Sequence, residues 1–284
     1  MFPKVKIKLT SKEARNSENN KCRIYLLNLR GLASKQRSLN KIINNNDKTM
    51  QFQILLLNET ALKMNQKPQI ENFVGFSRNR KNQAMGGVAT LVHEKYKDKC
   101  VRVTEGIDDD EYIITRHSNF SVPLNIINIY GEQEGRTSKK EIEERWSRVL
   151  QEIEIIEKRH EFLLLLGDMN KHISNDELGI EGNHDKLSFG GQLIRGLLAN
   201  GKYLCINNSS KTVNGPFTRL DPSRPDDRDG MSALSLVFAS VKLEPFIEEV
   251  FIDTSQEYSP ISSLSKKKIV RSDHFPVIIT LSAH

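Results

Sequence analysis

The stretch FLLLLGDMN, residues 162–170, joins five consecutive apolar residues to a glycine and a polar turn. An apolar run of this length without alternation predicts a short strand that is covered on both faces. The turn that follows carries a carboxylate and an amide, Asp168 and Asn170. Because functional side chains in sheet proteins gather where strands end, this stretch predicts both a buried sheet and the position of a site.

Polar side chains lie next to four other apolar runs of the chain. An amide, a carboxylate and a phenol each come at the end of such a run, and a carboxylate with an imidazole comes just before the last one. These residues are Asn28, Glu59 and Tyr130, together with Asp273 and His274. Each of them alone has an ordinary structural explanation, such as a turn residue or a buried histidine. Their recurrence in one chain predicts a shared site at the ends of several strands.

Short apolar runs recur along the chain and predict ten strands. The runs are 23–27, 52–57, 87–92, 112–115, 124–130, 162–166, 204–207, 234–239, 249–252 and 276–281. A helix is predicted over Lys139–Lys158, because its apolar residues have helical spacing and Ser138 with Glu141 matches a capping box. Two shorter helices are predicted at about 189–199 and 35–44. The fold class is therefore α/β.

No internal repeat and no Pro- or Gly-rich linker divides the chain, so residues 21–284 are predicted to form one domain. Residues 1–20 are polar and have nothing to pack, which is typical of a flexible tail. The chain is 37% hydrophobic and its apolar runs are far too short to cross a bilayer. Three distant cysteines form neither a disulfide framework nor a zinc spacing, and the first residues lack the apolar core of a signal peptide. These features predict an intracellular protein without a membrane partner.

Positive charge is concentrated near the N-terminus. Of the 42 basic and 36 acidic residues of the chain, 11 and 2 respectively lie in residues 1–41, so the remainder is slightly acidic. A smaller basic cluster contains Lys266, Lys267 and Lys268. Concentrated positive charge attracts polyanions, nucleic acid first among them, although a solvated arm has the same composition.

The polar residues at the strand ends suit a hard cation and a phosphate. Mg²⁺ prefers oxygen ligands and needs only one or two carboxylates, for which Glu59 and Asp273 are candidates. Phosphodiester hydrolysis also requires an activated water, which Asp168 is suited to orient or deprotonate. Donors to the phosphate oxygens complete such a site. The candidates for this last role are Asn28, Tyr130, Asn170 and His274.

Taken in order, these residues resemble the endonuclease/exonuclease/phosphatase superfamily, which includes DNase I and AP endonucleases. The resemblance covers residues 21–284 and rests above all on the segments Gly167–Asn170 and Ser272–His274. Within the superfamily, the opening motif at 28–32 is most similar to endonuclease domains of non-LTR (LINE-type) retrotransposons. The resemblance implies a two-sheet α/β sandwich flanked by helices.

The resemblance also implies an activity. It predicts a catalytic set made of the strand-end residues named above, with one Mg²⁺ or Mn²⁺ held by Glu59, Asn28 and Asp273. The reaction would be DNA nicking that leaves a 3′-hydroxyl to prime reverse transcription. A reverse transcriptase in the same polyprotein or complex is therefore an expected partner besides DNA, and the nucleus the expected location. The target sequence and the oligomeric state are left open.

One position departs from the family pattern. The family carries an Asp in a strand of the form Ser-x-[Leu/Ile]-Asp-x-[Val/Ile], where it orients the catalytic histidine. In this chain the matching segment is 232–237, and Ser235 stands at the position of that Asp. A serine has no negative charge with which to stabilise an imidazolium, so activity is expected to be reduced or lost. Asp227 and Asp229 lie in a nearby charged loop and are weaker candidates for compensation.

Three segments are candidates for DNA contact. Arg30 lies in the opening motif, and the segment 212–219 corresponds to a hairpin that helps to choose the target in the family. That segment contains an Asn-Gly pair, which on its own indicates an ordinary turn. The candidate residues are Arg30, Thr212, Phe217 and Arg219, together with Lys266, Lys267 and Lys268.

Two alternatives to an active nuclease remain at this stage. One is another phosphohydrolase of the superfamily, such as a phosphoinositide phosphatase or a sphingomyelinase, but the chain lacks the Trp-Cys-Asp-Arg-like motif of the phosphatases. The other alternative is a catalytically inactive DNA-binding module, which Ser235 makes credible.

Overall fold

The computed structural model describes residues 21–45, 51–80, 86–103, 111–131, 137–171, 173, 188–220, 231–262 and 271–282. The predicted tail at 1–20, the loop with Asp227 and Asp229, and the cluster Lys266–Lys268 lie outside these residues. No helix in the described part of the chain is long and apolar enough to span a membrane.

Seven strands form the first sheet, in the order β10-β14-β15-β1-β2-β4-β3. Its central strands β1 and β2 are parallel, and Asn28 lies beside Asn58 in their register. β15 and β4 pair antiparallel on either side of them. The bounds are β1 Lys21–Asn28, β2 Ile54–Asn58, β3 Phe73–Arg78, β4 Val88–His93, β10 Thr212–Val213, β14 Ile247–Ile252 and β15 Val277–Ser282.

Six strands form the second sheet, in the order β5-β6-β7-β8-β13-β9. β7 and β8 are parallel, and their register places Tyr130 beside Asp168. β13 pairs antiparallel with β8, so that Ser235 lies opposite Asp168. The bounds are β5 Cys100–Arg102, β6 Tyr112–His117, β7 Leu124–Tyr130, β8 Phe162–Asp168, β9 Tyr203–Cys205 and β13 Ser235–Ser240. A separate short pair contains β11, Arg219–Leu220, and β12, Met231–Ser232.

The two sheets pack face to face, and helices cover their outer faces. One apolar cluster joins side chains of β1 and β2 to side chains of β8 and β13 between the sheets. The helices α2, Lys139–Lys158, and α3, Phe189–Ala199, bury their apolar faces on the second sheet. The helix α1, Gln36–Ile43, packs on the outer face of the first. The molecule is therefore an α/β sandwich, as the sequence predicted.

Most predicted elements are present with small shifts of their ends. α2 has the predicted bounds, and the capping box between Ser138 and Glu141 is formed. The predicted strand at 204–207 is wrong in its second half, because the chain turns into a 3-10 helix at Ile206–Asn208. The sequence did not predict β3, β5, β10, β11 or β12. Four of these have only two or three residues, too few for an alternating or apolar pattern to be recognised.

The pairing of the central strands explains why the polar residues meet. β1 and β2 run in the same direction, and so do β7 and β8. Each pair therefore ends at one edge of its sheet, and hydrogen bonds between Asn28 and Asp168 and between Asn58 and Asn128 join the two edges. Four strand ends thus converge at one end of the sandwich.

Candidate active site

Asn28 and Asp168 connect the two sheets at this end of the sandwich. The Asn28 side chain donates from Nδ2 to Oδ2 of Asp168 at 2.6 Å, and both side chains are buried. Oδ1 of Asn28 accepts the backbone N–H of Arg30 at 3.0 Å. Because the amide is held on both sides, it fixes the position of the Asp168 carboxylate.

Asn58 is a site residue that the sequence did not predict. It is fully buried at the end of β2 and donates from Nδ2 to Oδ1 of Asn128 at 2.8 Å. Its Oδ1 accepts the backbone N–H of Asp168 at 2.8 Å. This amide therefore holds the main chain at Asp168, while Asn28 holds the side chain. The only signal in the sequence was a polar residue at the end of the run at 54–57.

Glu59 occupies the position best suited to a cation. Its φ of 49° is in the left-handed region, which is uncommon for a residue with a side chain and marks a local constraint. The residue is 4% exposed, and its Oε1 is buried without a hydrogen-bond partner among the described residues. A buried carboxylate oxygen with no donor is costly unless a cation or a water meets it. Glu59 therefore fits the ligand role that the sequence predicted.

A buried lysine lies near the same carboxylate. Lys35, just before α1, is 3% exposed and donates from Nζ to the backbone carbonyl of Leu29. Burial lowers the pKa of its ammonium, and the nearby Arg30 lowers it further, whereas Asp273 and Glu59 act in the opposite direction. No feature of the sequence indicated that this lysine is buried beside the site.

His274 lies between Ser235 and Asp168. Its Nδ1 is 3.4 Å from Oγ of Ser235, and its Nε2 is 3.6 Å from Oδ2 of Asp168. Its backbone N–H donates to Oγ of Ser272 at 3.2 Å. Thr218 holds Ser235 in turn, because its Oγ1 accepts the Ser235 N–H at 2.9 Å. The histidine thus faces a hydroxyl on one side and a carboxylate on the other.

Asp273 faces two arginines. Its Oδ2 accepts from Nε of Arg219 at 2.9 Å, and Nη1 of Arg30 lies 3.1 Å from its Oδ1 in an ion pair. Oδ1 is buried and makes no well-aligned hydrogen bond with any described residue. In the part of the chain that the structure describes, no group of three His, Cys, Asp or Glu side chains converges as a ready metal cluster.

Tyr130 lies beside a partly buried ion pair. Burial raises the pKa of its phenol, and the carboxylates of Glu59, Asp168 and Glu111 raise it further, so the phenol stays a neutral donor. The Arg80 guanidinium lies 5.9 Å from the centre of the Tyr130 ring and pairs with Glu111. Glu111 also accepts the Gly87 N–H at 2.7 Å, and burial raises the pKa of its carboxyl group.

Asn170 is held by its turn. It has a left-handed φ of 48°, and its backbone N–H donates to Oδ1 of Asp168 at 3.1 Å. Its Nδ2 donates to the carbonyl of Gly131 at 2.9 Å. The residue is only partly buried, so the side chain remains accessible beside Asp168.

The predicted DNA-contact residues are not all in one place. Arg30 and Arg219 meet at Asp273, beside the site. Thr212 is on the edge strand β10, which pairs with β14, and Phe217 is half-buried in the segment between β10 and β11. The Asn-Gly pair forms a turn with positive φ at both residues, but the strands on its two sides, β10 and β11, pair with other strands.

The fold of this chain is similar to the folds of several solved structures. No family model matches the chain, and no curated protein matches it. An AP endonuclease from Leishmania major superimposes with a TM-score of 0.69 at 14% identity, over 98% of this chain and 92% of the other. A 3′-5′ exonuclease from Neisseria meningitidis gives 0.68 at 19% identity, over 92% and 99%.

A third structure comes from a mobile element. The endonuclease domain of TRAS1, a telomere-specific non-LTR retrotransposon, has a TM-score of 0.61 at 13% identity, over 93% of this chain and 99% of that one. The chain has the DNase I-like fold of the endonuclease/exonuclease/phosphatase superfamily. At these identities the likeness establishes the fold, and the expected two-sheet sandwich is confirmed. In this sandwich, Asn28, Asp168 and His274 lie at one end, together with Glu59, Tyr130, Asn170 and Asp273.

Proposed function

We propose that this protein is a metal-dependent phosphodiesterase that nicks DNA and leaves a 3′-hydroxyl, with a catalytic rate limited by Ser235. The observation that carries the proposal is the buried Oε1 of Glu59, which has no hydrogen-bond partner in the described part of the chain. It lies at the same end of the sandwich as the buried Asn28–Asp168 pair and His274. Hydrolysis of a phosphodiester requires a cation site, a carboxylate in a fixed position and a hydrogen-bond donor to the phosphate oxygens, all close together. The similarity to AP endonucleases and to a retrotransposon endonuclease domain supports the same reaction class.

Glu59 is proposed as the principal ligand of Mg²⁺ or Mn²⁺, with Asn28 or Asp273 in support. One buried carboxylate suits Mg²⁺, which keeps several waters and rarely needs a protein cage. When bound, the metal would supply positive charge near the phosphate oxygens and the leaving group. Both supporting side chains lie near Glu59 along the edge formed by the strand ends.

The remaining side chains act on the water and the phosphate. Asp168 is held at both carboxylate oxygens, by Asn28 and by the backbone of Asn170, so it is placed to orient or deprotonate the attacking water. Tyr130, Asn170 and His274 are proposed to donate to phosphate oxygens, where charge develops. Tyr130 is suited to this role because its raised pKa keeps the proton on the phenol.

The closest biological role that fits is retrotransposon-type nicking. In that role DNA is the substrate, a reverse transcriptase is a partner in the same polyprotein or complex, and the nucleus is the site of action. The likeness to the TRAS1 endonuclease domain over 93% of this chain supports this assignment. The opening motif at 28–32 supports it from the sequence.

A supercoiled-plasmid nicking assay in Mg²⁺ tests the proposal. The wild-type chain should convert supercoiled plasmid to the open circle, and Glu59→Ala and Asp168→Ala should each abolish this conversion. Asn170→Ala should be milder, since it removes one donor to phosphate. Glu71→Ala is the matched control, because Glu71 is exposed and belongs to no part of the site. Mn²⁺ binding followed by electron paramagnetic resonance should weaken in Glu59→Ala and not in Asp168→Ala.

A second candidate function is a DNA-binding module without catalysis. The contact between Oγ of Ser235 and Nδ1 of His274 favours it, because no carboxylate of the described residues contacts this side of the ring. Plasmid binding without nicking by the wild-type chain would support this module. Hydrolysis of phosphoinositides instead of DNA would place the chain among the phosphatases of the superfamily.

A further inference from the structure

Two arginines from separate segments of the chain meet at one buried carboxylate. Arg30 follows β1, and Arg219 begins β11. Nη1 of Arg30 lies 3.1 Å from Oδ1 of Asp273, and Nε of Arg219 lies 2.9 Å from Oδ2. The Asp273 side chain is only 2% exposed, whereas those of Arg30 and Arg219 are 48% and 32% exposed. The carboxylate is therefore hidden beneath two guanidinium groups that reach solvent.

The main chain fixes the base of each arginine. Arg30 has a left-handed φ of 48°, and its N–H donates to Oδ1 of Asn28 at 3.0 Å. Arg219 pairs with Ser232 across β11 and β12 and forms a bridge with His274. The neighbouring Leu220 donates its N–H to the carbonyl of Asp273 at 2.9 Å. The backbone of both arginines is therefore fixed, and only the outer atoms of their side chains can move.

The charges of this group leave a net attraction for an anion. Two guanidinium groups and one carboxylate sum to one positive charge, and the buried ammonium of Lys35 is offset by the nearby carboxylate of Glu59. A guanidinium carries five N–H donors in a planar fork. Among the described residues, Arg30 and Arg219 form ion pairs with Asp273 alone, each through one guanidinium nitrogen, and both side chains are partly exposed, which leaves N–H donors for a further partner.

The ligand that matches this arrangement is a phosphate of a nucleic-acid backbone. Arginine forks pair with phosphate oxygens in a bidentate manner, and two forks converging on one place define its position. Asp273 is next in sequence to His274, whose Nε2 is 3.6 Å from Asp168. The guanidinium pair therefore lies beside the reacting groups, where the strand to be cut must pass.

We propose that Arg30 and Arg219 form a clamp for one backbone phosphate of DNA, and that Asp273 is the positioning residue that joins them. This inference rests on the proposed function, because the clamp would place the DNA strand against Asp168 and His274. Asp273 contributes through the two arginines rather than by touching DNA. Because Asp273 contacts both arginines, the removal of one arginine makes the position of the other less fixed.

Binding without metal separates this role from a role in metal coordination. Affinity for a fluorescently labelled DNA duplex is measured by anisotropy in EDTA. Arg30→Ala and Arg219→Ala should each weaken binding about tenfold. The double variant should weaken it by much less than the product of the two, because the arginines share one support. Arg219→Lys, which keeps the charge and loses the fork, should bind nearly as weakly as Arg219→Ala.

Asp273→Asn gives the sharpest contrast. If only net charge matters, this removal of a negative charge near DNA strengthens binding. If Asp273 serves only as a metal ligand, DNA binding without metal is unchanged. A positioning role predicts weaker binding instead, by several-fold. Arg116→Ala is the matched control, since Arg116 is also held by a carboxylate, Glu161, but at the opposite end of its sheet. It should bind DNA as the wild type does.

Each result has a defined consequence. Tighter or unchanged binding by Asp273→Asn, or fully additive losses in the arginine variants, overturns the clamp. If the wild-type chain nicks plasmid and the arginine variants bind DNA normally, the clamp is wrong and the proposed function stands. If the wild-type chain neither binds nor nicks DNA, the proposed function fails as well. Circular dichroism of every variant establishes that losses of binding do not come from unfolding.

Discussion

Ser235 is the residue at which a substitution is expected to raise the rate of nicking. Its hydroxyl faces Nδ1 of His274 at 3.4 Å, a long contact without negative charge. A carboxylate at this place would fix the ring and stabilise its protonated form. We therefore expect Ser235→Asp to raise the single-turnover rate of nicking at least tenfold. For comparison, the orienting Asp of a serine-protease triad contributes roughly 10⁴-fold to turnover.

The comparison needs matched DNA occupancy and two controls. Ser235→Ala should change the rate little, because the long contact it removes contributes little orientation. Ser147→Asp places the same charge on an exposed position of α2 and should leave the rate unchanged. Equal rates for wild type and Ser235→Asp would mean that a group such as Asp168 already orients the ring. Vigorous nicking by the wild type would disprove the idea of impairment.

At the residue level, the sequence predicted the members of the site better than their contacts. Asn28 and Asp168 were recognised because each follows a buried run, and the structure joins them directly. Asn58 was missed, because strands buried on both faces lose the alternation that shows which side chain points between the sheets. The pairing of Asp273 with Arg30 and Arg219 could not be predicted from the sequence either. It depends on the bridge between Arg219 and His274, which are far apart in the chain.

Among the elements, helices and long strands were predictable and short edge strands were not. α2 combines a capping box with a regular apolar stripe, so both its start and its core face were visible in the sequence. β3 was missed although it has six residues, because its pattern of burial is irregular and Gly75 interrupts it. At Gly75 the backbone of Thr90 on β4 comes so close that no side chain fits. Such a contact between strands leaves no trace in local sequence.

The pairing of β5 with β6 gives a prediction about acid stability. Their register places Cys100 beside His117, and His117 is buried with Thr115 Oγ1 3.0 Å from its Nε2. Burial lowers the pKa of His117 from 6.5 to about 4. Between these two values the unfolded chain takes up a proton that the folded chain refuses, so stability falls as the pH falls. The loss should reach about 3 kcal/mol near pH 4.

Urea unfolding at pH 7 and at pH 4.5 measures this effect. His117→Gln removes the titrating group and should reduce the difference in unfolding free energy between the two pH values, whatever its own cost at pH 7. His160→Gln is the control, because His160 is exposed just after α2. An unchanged pH difference in His117→Gln would show that carboxylates elsewhere dominate the acid response.

For the molecule as a whole, the distribution of charge predicts how the proposed binding to DNA depends on salt. Phosphate contacts release counterions, so affinity should fall linearly with salt on a double-logarithmic plot, with a slope set by the number of contacts. Lys266, Lys267 and Lys268 precede the segment with Asp273 and His274 in the sequence and are predicted to contact DNA. If each meets one phosphate, their combined change to Gln should flatten the slope by about 3 units.

The matched control changes the same total charge at the other end of the sandwich. Lys95, Lys97 and Lys99 are exposed in the 3-10 helix that follows β4, and β4 runs antiparallel to β2, so this helix is remote from Glu59. Changing these three to Gln lowers the net charge equally, and any difference between the two triple variants therefore reports position rather than total charge. Equal salt slopes for the two triple variants would show that DNA binding depends only on the net charge of the molecule. No dependence on salt between low and physiological ionic strength would contradict nucleic-acid binding itself, because a chain that neutralises phosphates cannot avoid it.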